Sequence, residues 1–240
     1  MIIDYLESLK NRNQYKKNIN LSIKTSIITQ LLSDNFDKSA NRTKHPFHDI
    51  RLYQYLNMMK NWIPEKAVNI NFGDSLTDMS RKQIERYHNL VLSISGSWAH
   101  HIQQMIEDTS DSLKKFKVQN ISIGCLGGNP LLVYQNFDEV VRDTISCLNK
   151  LRQLYPNSRI IVYGLPPVYN IHVNQNTYQF DSILNDWVEK DNNSSFVNLK
   201  ARFGTGWGKL FPYCEWSSDG VHFNPEGACI FSELIYNKMM

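Results

Sequence analysis

From residue 67 onward the hydrophobic pattern switches repeatedly between two periods, and this alternation limits the possible folds more than any other feature. Short apolar runs that read as strands occur at 67–72 (AVNINF), 89–94 (NLVLSI), 119–126 (QNISIGCL), 159–165 (RIIVYGL) and 195–199 (SFVNL). Segments with helical spacing lie between and after them, at 97–108, 136–155, 180–190 and 224–240. The clearest is 136–155, where Phe137, Val140, Val141, Ile145, Leu148, Leu151 and Leu154 share one stripe. Asn136 is placed to cap that helix, and Asp138 and Glu139 suit its first turn. Pro225 fits the first position of the last helix. Strands that alternate with helices predict an α/β domain with a five-stranded parallel sheet covered on both faces.

Residues 1–66 lack this alternation and read as a mainly helical N-terminal extension, followed by the α/β domain at 67–240. DYLESLKNR and IRLYQYLNMMKNW have helical spacing, the stretch between them reads as loop, and Pro64 marks the boundary. The extension carries a net charge of +5 and the remainder −2, so the whole chain is only +3. That is too weak a charge to point to nucleic acid. The segment MIIDYLESLKNRNQYKK has no long apolar core and contains Asp4 and Glu7, so no secretory signal is expected, and no stretch is apolar enough to span a membrane. The four cysteines have no metal-binding spacing, and Cys125 and Cys147 sit in apolar runs as small reduced hydrophobes. These features predict a cytoplasmic protein.

In an open parallel sheet, ligands gather at the carboxyl ends of the strands. Ser75 follows the first predicted strand, Gly96 the second, Gly127, Gly128 and Asn129 the third, and Pro166 and Pro167 the fourth. Asp219 and His222 precede the last helix. A serine becomes a nucleophile only beside a base that accepts its proton. Asp219 and His222 are three positions apart, so one turn of chain brings the carboxylate to one imidazole nitrogen and leaves the other for Ser75. The oxyanion of an acyl-transfer intermediate also needs donors, for which the backbone N–H groups of Ser75 and Gly96 and the amide of Asn129 are candidates.

Four blocks carry these residues: FGDSLTD at 72–78, SISGS at 93–97, LGGNP at 126–130 and SDGVHFNPEG at 218–227. In this order they resemble the SGNH/GDSL hydrolase family over roughly residues 67–240. The resemblance implies a flavodoxin-like three-layer α/β/α sandwich. It implies Ser75 as nucleophile and first oxyanion donor, Gly96 and Asn129 as further donors, His222 as base and Asp219 as its partner. It implies no metal and no cofactor. The third block departs from the family in having Pro130 where a second acid is usual, which points to an altered loop. Ser75 and Gly96 lie close in sequence, so the helix between them must be brief, roughly MSRKQIERYHN.

Taken alone, Gly73-Asp74-Ser75 is an ordinary strand-end turn, and Asn129 after two glycines is an ordinary turn residue. His100 and His101 are adjacent and point apart on a helix, which argues against a metal site. GTGWGKL at 204–210 fits neither phosphate-binding spacing, and no Gly-x-Ser-x-Gly elbow occurs. Trp207, Phe211, Tyr213 and Trp216 form an aromatic stretch before the Asp/His pair, either packing inward or walling a substrate site. Tyr134, Pro167 and Tyr169 are similar candidates, and the substrate-binding set expected here is Tyr134, Tyr169, Trp207 and Trp216. The functional expectation is a serine esterase acting on a carbohydrate O-acyl, lipid or small-molecule ester. The alternatives are an O-acyltransferase using the same residues and a catalytically silent binding module of this fold.

Overall fold

Five parallel strands form the centre of the molecule: β1 (Val68–Gly73), β2 (Leu90–Ser93), β3 (Val118–Gly124), β4 (Arg159–Tyr163) and β5 (Ser194–Val197). The computed structural model describes residues 44–60, 68–87, 90–168, 171–204, 216–217 and 219–240. These fall within one compact unit, Thr43–Met240. The strand order is β2-β1-β3-β4-β5, the flavodoxin-like arrangement, which reverses direction between β1 and β3. Register places Gly73 beside Ser93 and Phe72 beside both Leu92 and Ile123.

The helices in chain order are α1 (His48–Lys60), α2 (Ser75–Met79), α3 (Arg81–Ile84), α4 (Ala99–Leu113), α5 (Gly128–Leu132), α6 (Phe137–Leu154), α7 (Ile171–Glu189), α8 (Leu199–Phe203) and α9 (Pro225–Asn237). They cover both faces of the sheet, so the strands are apolar on both sides. Ile70, Phe72, Leu92, Ile121, Ile123, Ile160, Ile161 and Val162 are all buried. Each such aliphatic side chain contributes about 1.5–3 kcal/mol of transfer free energy. Asn71 belongs to the same buried layer: it donates to Ser122 Oγ at 2.7 Å and accepts from Tyr163 Oη at 3.3 Å. Buried polar side chains in a sheet need such partners.

The sequence signals for caps hold in detail. Asn136 Oδ1 accepts from the N–H groups of Asp138 and Glu139 and starts α6. Asn224 accepts from Gly227 N and starts α9 at Pro225. α7 differs from expectation, since it starts at Ile171 rather than at 180. Its buried stripe runs Val173, Thr177, Phe180, Leu184 and Val188. Thr177 satisfies its hydroxyl on the carbonyl of Asn174, so a polar residue occupies an apolar position. The brief helix expected after Ser75 is two short helices, α2 and α3, that meet at Ser80.

In the region preceding β1, the IRLYQYLNMMKNW pattern corresponds to α1, whereas DYLESLKNR lies outside the described residues. α1 buries Tyr55 and Met59 and packs on α4. His48 Nε2 lies 2.8 Å from an Asp108 carboxylate oxygen, and Lys115 Nζ donates to Met59 O. Among the described residues, no helix is long and apolar enough to cross a membrane.

Candidate active site

The chain leaves β1 in a turn that only glycine permits. A Cβ on Gly73 would lie 2.0 Å from Thr77 Oγ1 and 2.8 Å from Tyr163 Oη. Thr77 Oγ1 and Tyr163 Oη are themselves 2.7 Å apart, so the underside of α2 is pinned to β4. Asp74 caps α2: its Oδ1 accepts from Leu76 N at 3.0 Å. Ser75 is the first residue of that helix. A backbone N–H at this position has no acceptor within the helix and is free for a ligand.

A second turn faces it from the far end of the chain. Ser217 and Phe223 form an antiparallel bridge, and Gly220 adopts φ 81° between them. Asp219 Oδ1 accepts from the N–H groups of Val221 (2.9 Å) and His222 (2.7 Å). Its other oxygen, Oδ2, lies 2.7 Å from His222 Nδ1. His222 Nε2 lies 3.1 Å from Ser75 Oγ. With Nδ1–H donating to the carboxylate, Nε2 carries a lone pair directed at the Ser75 hydroxyl. The three side chains thus form a continuous path from hydroxyl to carboxylate.

The environment separates the ionisable groups. Burial pushes the Asp219 carboxyl up, but the His222 side-chain bond, the backbone N–H donors and the His222 charge outweigh it and hold the group at about 2. Burial pushes His222 down, and the bond and charge of Asp219, together with the charge of Asp74, outweigh it, so the imidazole is raised above its ordinary 6.5. Asp74 behaves oppositely. Desolvation drives its carboxyl up to about 7, only partly offset by the Leu76 N–H and the charge of His222.

Asn129 is the second residue of α5, and its amide donates to Ser97 O at 2.9 Å and to Asp74 Oδ2 at 3.3 Å. Gly96 lies in the loop after β2, beside Ser97, at φ 81°. This is left-handed backbone that favours glycine. Ser75 and Asn129 line an open cleft of about 370 Å³. Its walls are largely apolar, with Leu76, Leu132, Leu165, Val168 and Val173 prominent, and Asp74 reaches it as well.

The four expected substrate residues have separate placements. Tyr134 is exposed after α5, with φ 58°, and is not among the cleft-lining residues. Trp216 is buried, with its ring 5.1 Å from Phe203 and 5.5 Å from Phe223. It packs in the core rather than along this cleft, because the turn that presents His222 points its neighbouring aromatics inward. Tyr169 and Trp207 lie outside the described residues, as do Phe211 and Tyr213. Three contributors, Asp74, Val173 and Thr177, are not singled out from sequence. Asp74 was hidden in the turn reading, although an Asp directly before a short helix is itself a cap signal. The wall residues Val173 and Thr177 were missed with the start of α7. Among the described residues, no three His, Cys, Asp or Glu side chains are grouped to hold a metal.

A family model for GDSL-like lipase/acylhydrolase matches residues 3–235 of the chain. The chain belongs to this family. Curated proteins show no significant match to it by sequence. Solved structures show the shared fold of this GDSL-family protein at low identity. A candidate platelet activating factor from Streptococcus pneumonia superposes with a TM-score of 0.69 at 14% identity, over 90% of this chain and 99% of that one. The C-terminal catalytic domain of peptidoglycan O-acetyltransferase A from Streptococcus pneumoniae gives 0.56 at 14% identity, over 71% and 91%. An acetyl xylan esterase gives 0.57 at 15% identity, over 72% and 100%.

Proposed function

We propose that this GDSL-family protein is a serine esterase that forms an acyl-enzyme on Ser75. One observation carries the reading: Ser75 Oγ, His222 Nε2, His222 Nδ1 and Asp219 Oδ2 are joined by contacts of 3.1 and 2.7 Å. His222 Nε2 takes the hydroxyl proton as Oγ attacks the ester carbonyl, and the carbonyl oxygen becomes an oxyanion. The N–H groups of Ser75 and Gly96 and the amide of Asn129 stabilise that charge. Asn129 meets the oxyanion by giving up its longer bond, the one to Asp74. The imidazolium then returns its proton to the departing alkoxide. Water, deprotonated in turn by His222, releases the acid and regenerates Ser75.

The apolar walls beside Ser75 suit the acyl group, with the alcohol lying towards solvent. The substrate class is an ester of a small alcohol, a lipid or a carbohydrate. The acetyl xylan esterase and the peptidoglycan O-acetyltransferase that share the fold favour a short acyl group on a sugar within this class. The acetyltransferase also supports a second reading, in which a sugar hydroxyl replaces water as acceptor at the same Ser75. Product analysis with and without acetylated and free sugars separates the two.

Ser75→Ala should abolish turnover of a short-chain nitrophenyl ester, by at least about a thousandfold, with its melting temperature preserved. Equal activity in the variant would refute the assignment, whereas a wild type with no turnover and no fluorophosphonate label on Ser75 would favour a binding module.

A further inference from the structure

The loop that carries Gly96 is held by a polar network that does not touch the Ser75–His222–Asp219 path. Asp78 lies one turn beyond Ser75 on the same short helix. Its Oδ1 accepts from Ser93 Oγ at 3.1 Å and from Arg81 Nη2 at 3.0 Å. Its Oδ2 accepts from Ser95 Oγ at 2.9 Å and from Arg51 Nη2 at 3.0 Å. One carboxylate on the nucleophile's helix therefore grips two serines that lead directly into Gly96.

The grip extends to α1. The Tyr55 hydroxyl donates to Ser93 O at 2.8 Å and accepts from Arg81 Nη2 at 2.7 Å and Ser93 N at 3.2 Å. Arg81 Nη1 donates to Val91 O at 2.7 Å, two strand positions earlier on the same side of the strand. Tyr55 and Ser93 are buried and the Asp78 side chain is only 11% exposed, so the bonds at Ser93 are shielded from competing water, while those of Ser95 and Arg51 lie at the more exposed edge of the network. On its far side the loop is held by Asn129, which donates to Ser97 O. The segment from Ser93 to Ser97 is thus fixed at both ends, with Gly96 between.

We propose that Asp78 is a positioning residue that sets the distance between Ser75 and the Gly96 N–H, and that α1 belongs to this device through Tyr55 and Arg51. The proposal rests on the acyl-serine reading, in which Gly96 is an oxyanion donor. The chemistry requires a carboxylate. Asp78 accepts four hydrogen bonds, two of them from guanidinium groups, whereas an asparagine would accept on one atom and turn an NH2 towards an arginine or a serine. An oxyanion donor that drifts by a fraction of an ångström loses its effect on the transition state while leaving substrate binding intact. The network also gives α1 a role in catalysis although it contributes no group to the cleft.

The test is steady-state kinetics of the full chain on a nitrophenyl ester, with fluorophosphonate labelling and melting temperature followed in parallel. Asp78→Asn should lower kcat by about tenfold to a hundredfold with KM changed less than about twofold. Tyr55→Phe keeps the ring and removes only the hydroxyl, and should lower kcat by roughly threefold to tenfold at similar KM. Wild-type kcat in both variants, or a loss expressed in KM alone, overturns the proposal. If Asp78→Asn does not fold, Tyr55→Phe decides, and a kcat equal to wild type overturns it. A wild-type protein that neither turns over ester nor takes the label refutes the underlying acyl-serine reading and the proposal with it. Active, labelled wild type with unaffected variants refutes the proposal alone.

Discussion

Two aspartates flank the candidate nucleophile and base, and the protein treats them in opposite ways. Asp219 sits in a turn whose backbone N–H groups and imidazole all point at it, and its carboxyl is held at about 2. Asp74 is enclosed at the cleft with the Leu76 N–H at 3.0 Å, its own N–H and the Asn129 amide at 3.3 Å as donors, and its carboxyl rises to about 7. Both are within electrostatic reach of His222. The difference lies in burial and donors rather than distance: Asp74 is enclosed, whereas the Asp219 side chain keeps 37% of its surface exposed and gathers hydrogen bonds that replace the water it loses. The consequence is chemical. In the proposed mechanism Asp219 remains an anion that would support an imidazolium, whereas a permanent charge on Asp74 would oppose an oxyanion forming beside Asn129.

The strongest way to break this comparison is to remove the charge that is kept. Asp219→Asn should lower kcat by on the order of a thousandfold or more. If His222 is the base proposed here, activity requires its neutral form, so the rate should rise with pH through a value above 6.5. Loss of the Asp219 bond and charge should move that rise to lower pH. A pH–rate profile checks both, and an unmoved limb would show that Asp219 does not tune His222.

Removing the charge that is suppressed should act on stability. The folded chain holds the Asp74 proton up to about 7, whereas an ordinary aspartate loses it near 3.8. Between those values the folded state binds the extra proton, so stability falls as pH rises through this window. The full effect is about 4 kcal/mol by the difference in pKa. Asp74→Asn keeps an N-cap acceptor and should flatten this slope. Denaturant midpoints at about pH 4.5 and about pH 7.5 measure it, and an unchanged slope would place the shift elsewhere.

The smallest of the three effects concerns the residue that touches Asp74. Asn129→Ala should lower kcat by about a hundredfold with little change in KM, as for loss of one oxyanion donor. A change confined to KM would make Asn129 a cleft residue only. The outcome sharpens the comparison, since it shows whether the bond from Asn129 to Asp74 yields to the reaction.

Much of this arrangement is legible in the sequence because parallel strands buried on both faces leave continuous apolar runs. RIIVYGL could hardly be anything else, and β4 occupies its first five residues. The Asp219/His222 spacing is equally direct, since three positions and one turn bring carboxylate to imidazole. The start of α7 is not legible, because Thr177 interrupts an apolar stripe and is satisfied only through a bond to Asn174 O. Trp216 has the composition of a cleft wall, and only the fold shows its ring among Phe203 and Phe223.

The Lys200–Asp181 pair is another feature that sequence spacing conceals. Lys200 Nζ bonds Asp181 and the carbonyls of Leu165 and Thr177, and Asp181 Oδ1 accepts from Leu165 N. This braces the cleft wall at Leu165 and Thr177. Burial pushes the Asp181 carboxyl up and the Lys200 amine down, which no linear pattern reveals. The charge state of Asp74 is hidden for the same reason: it depends on what encloses the side chain, not on its neighbours in sequence.

Covalent labelling tests the central claim most directly. A fluorophosphonate probe should add a single phosphonyl group, and peptide mass spectrometry should place it on Ser75. Labelling should vanish in Ser75→Ala and slow sharply when His222 is replaced by alanine. A label on another residue, or equal labelling of wild type and Ser75→Ala, would contradict the account.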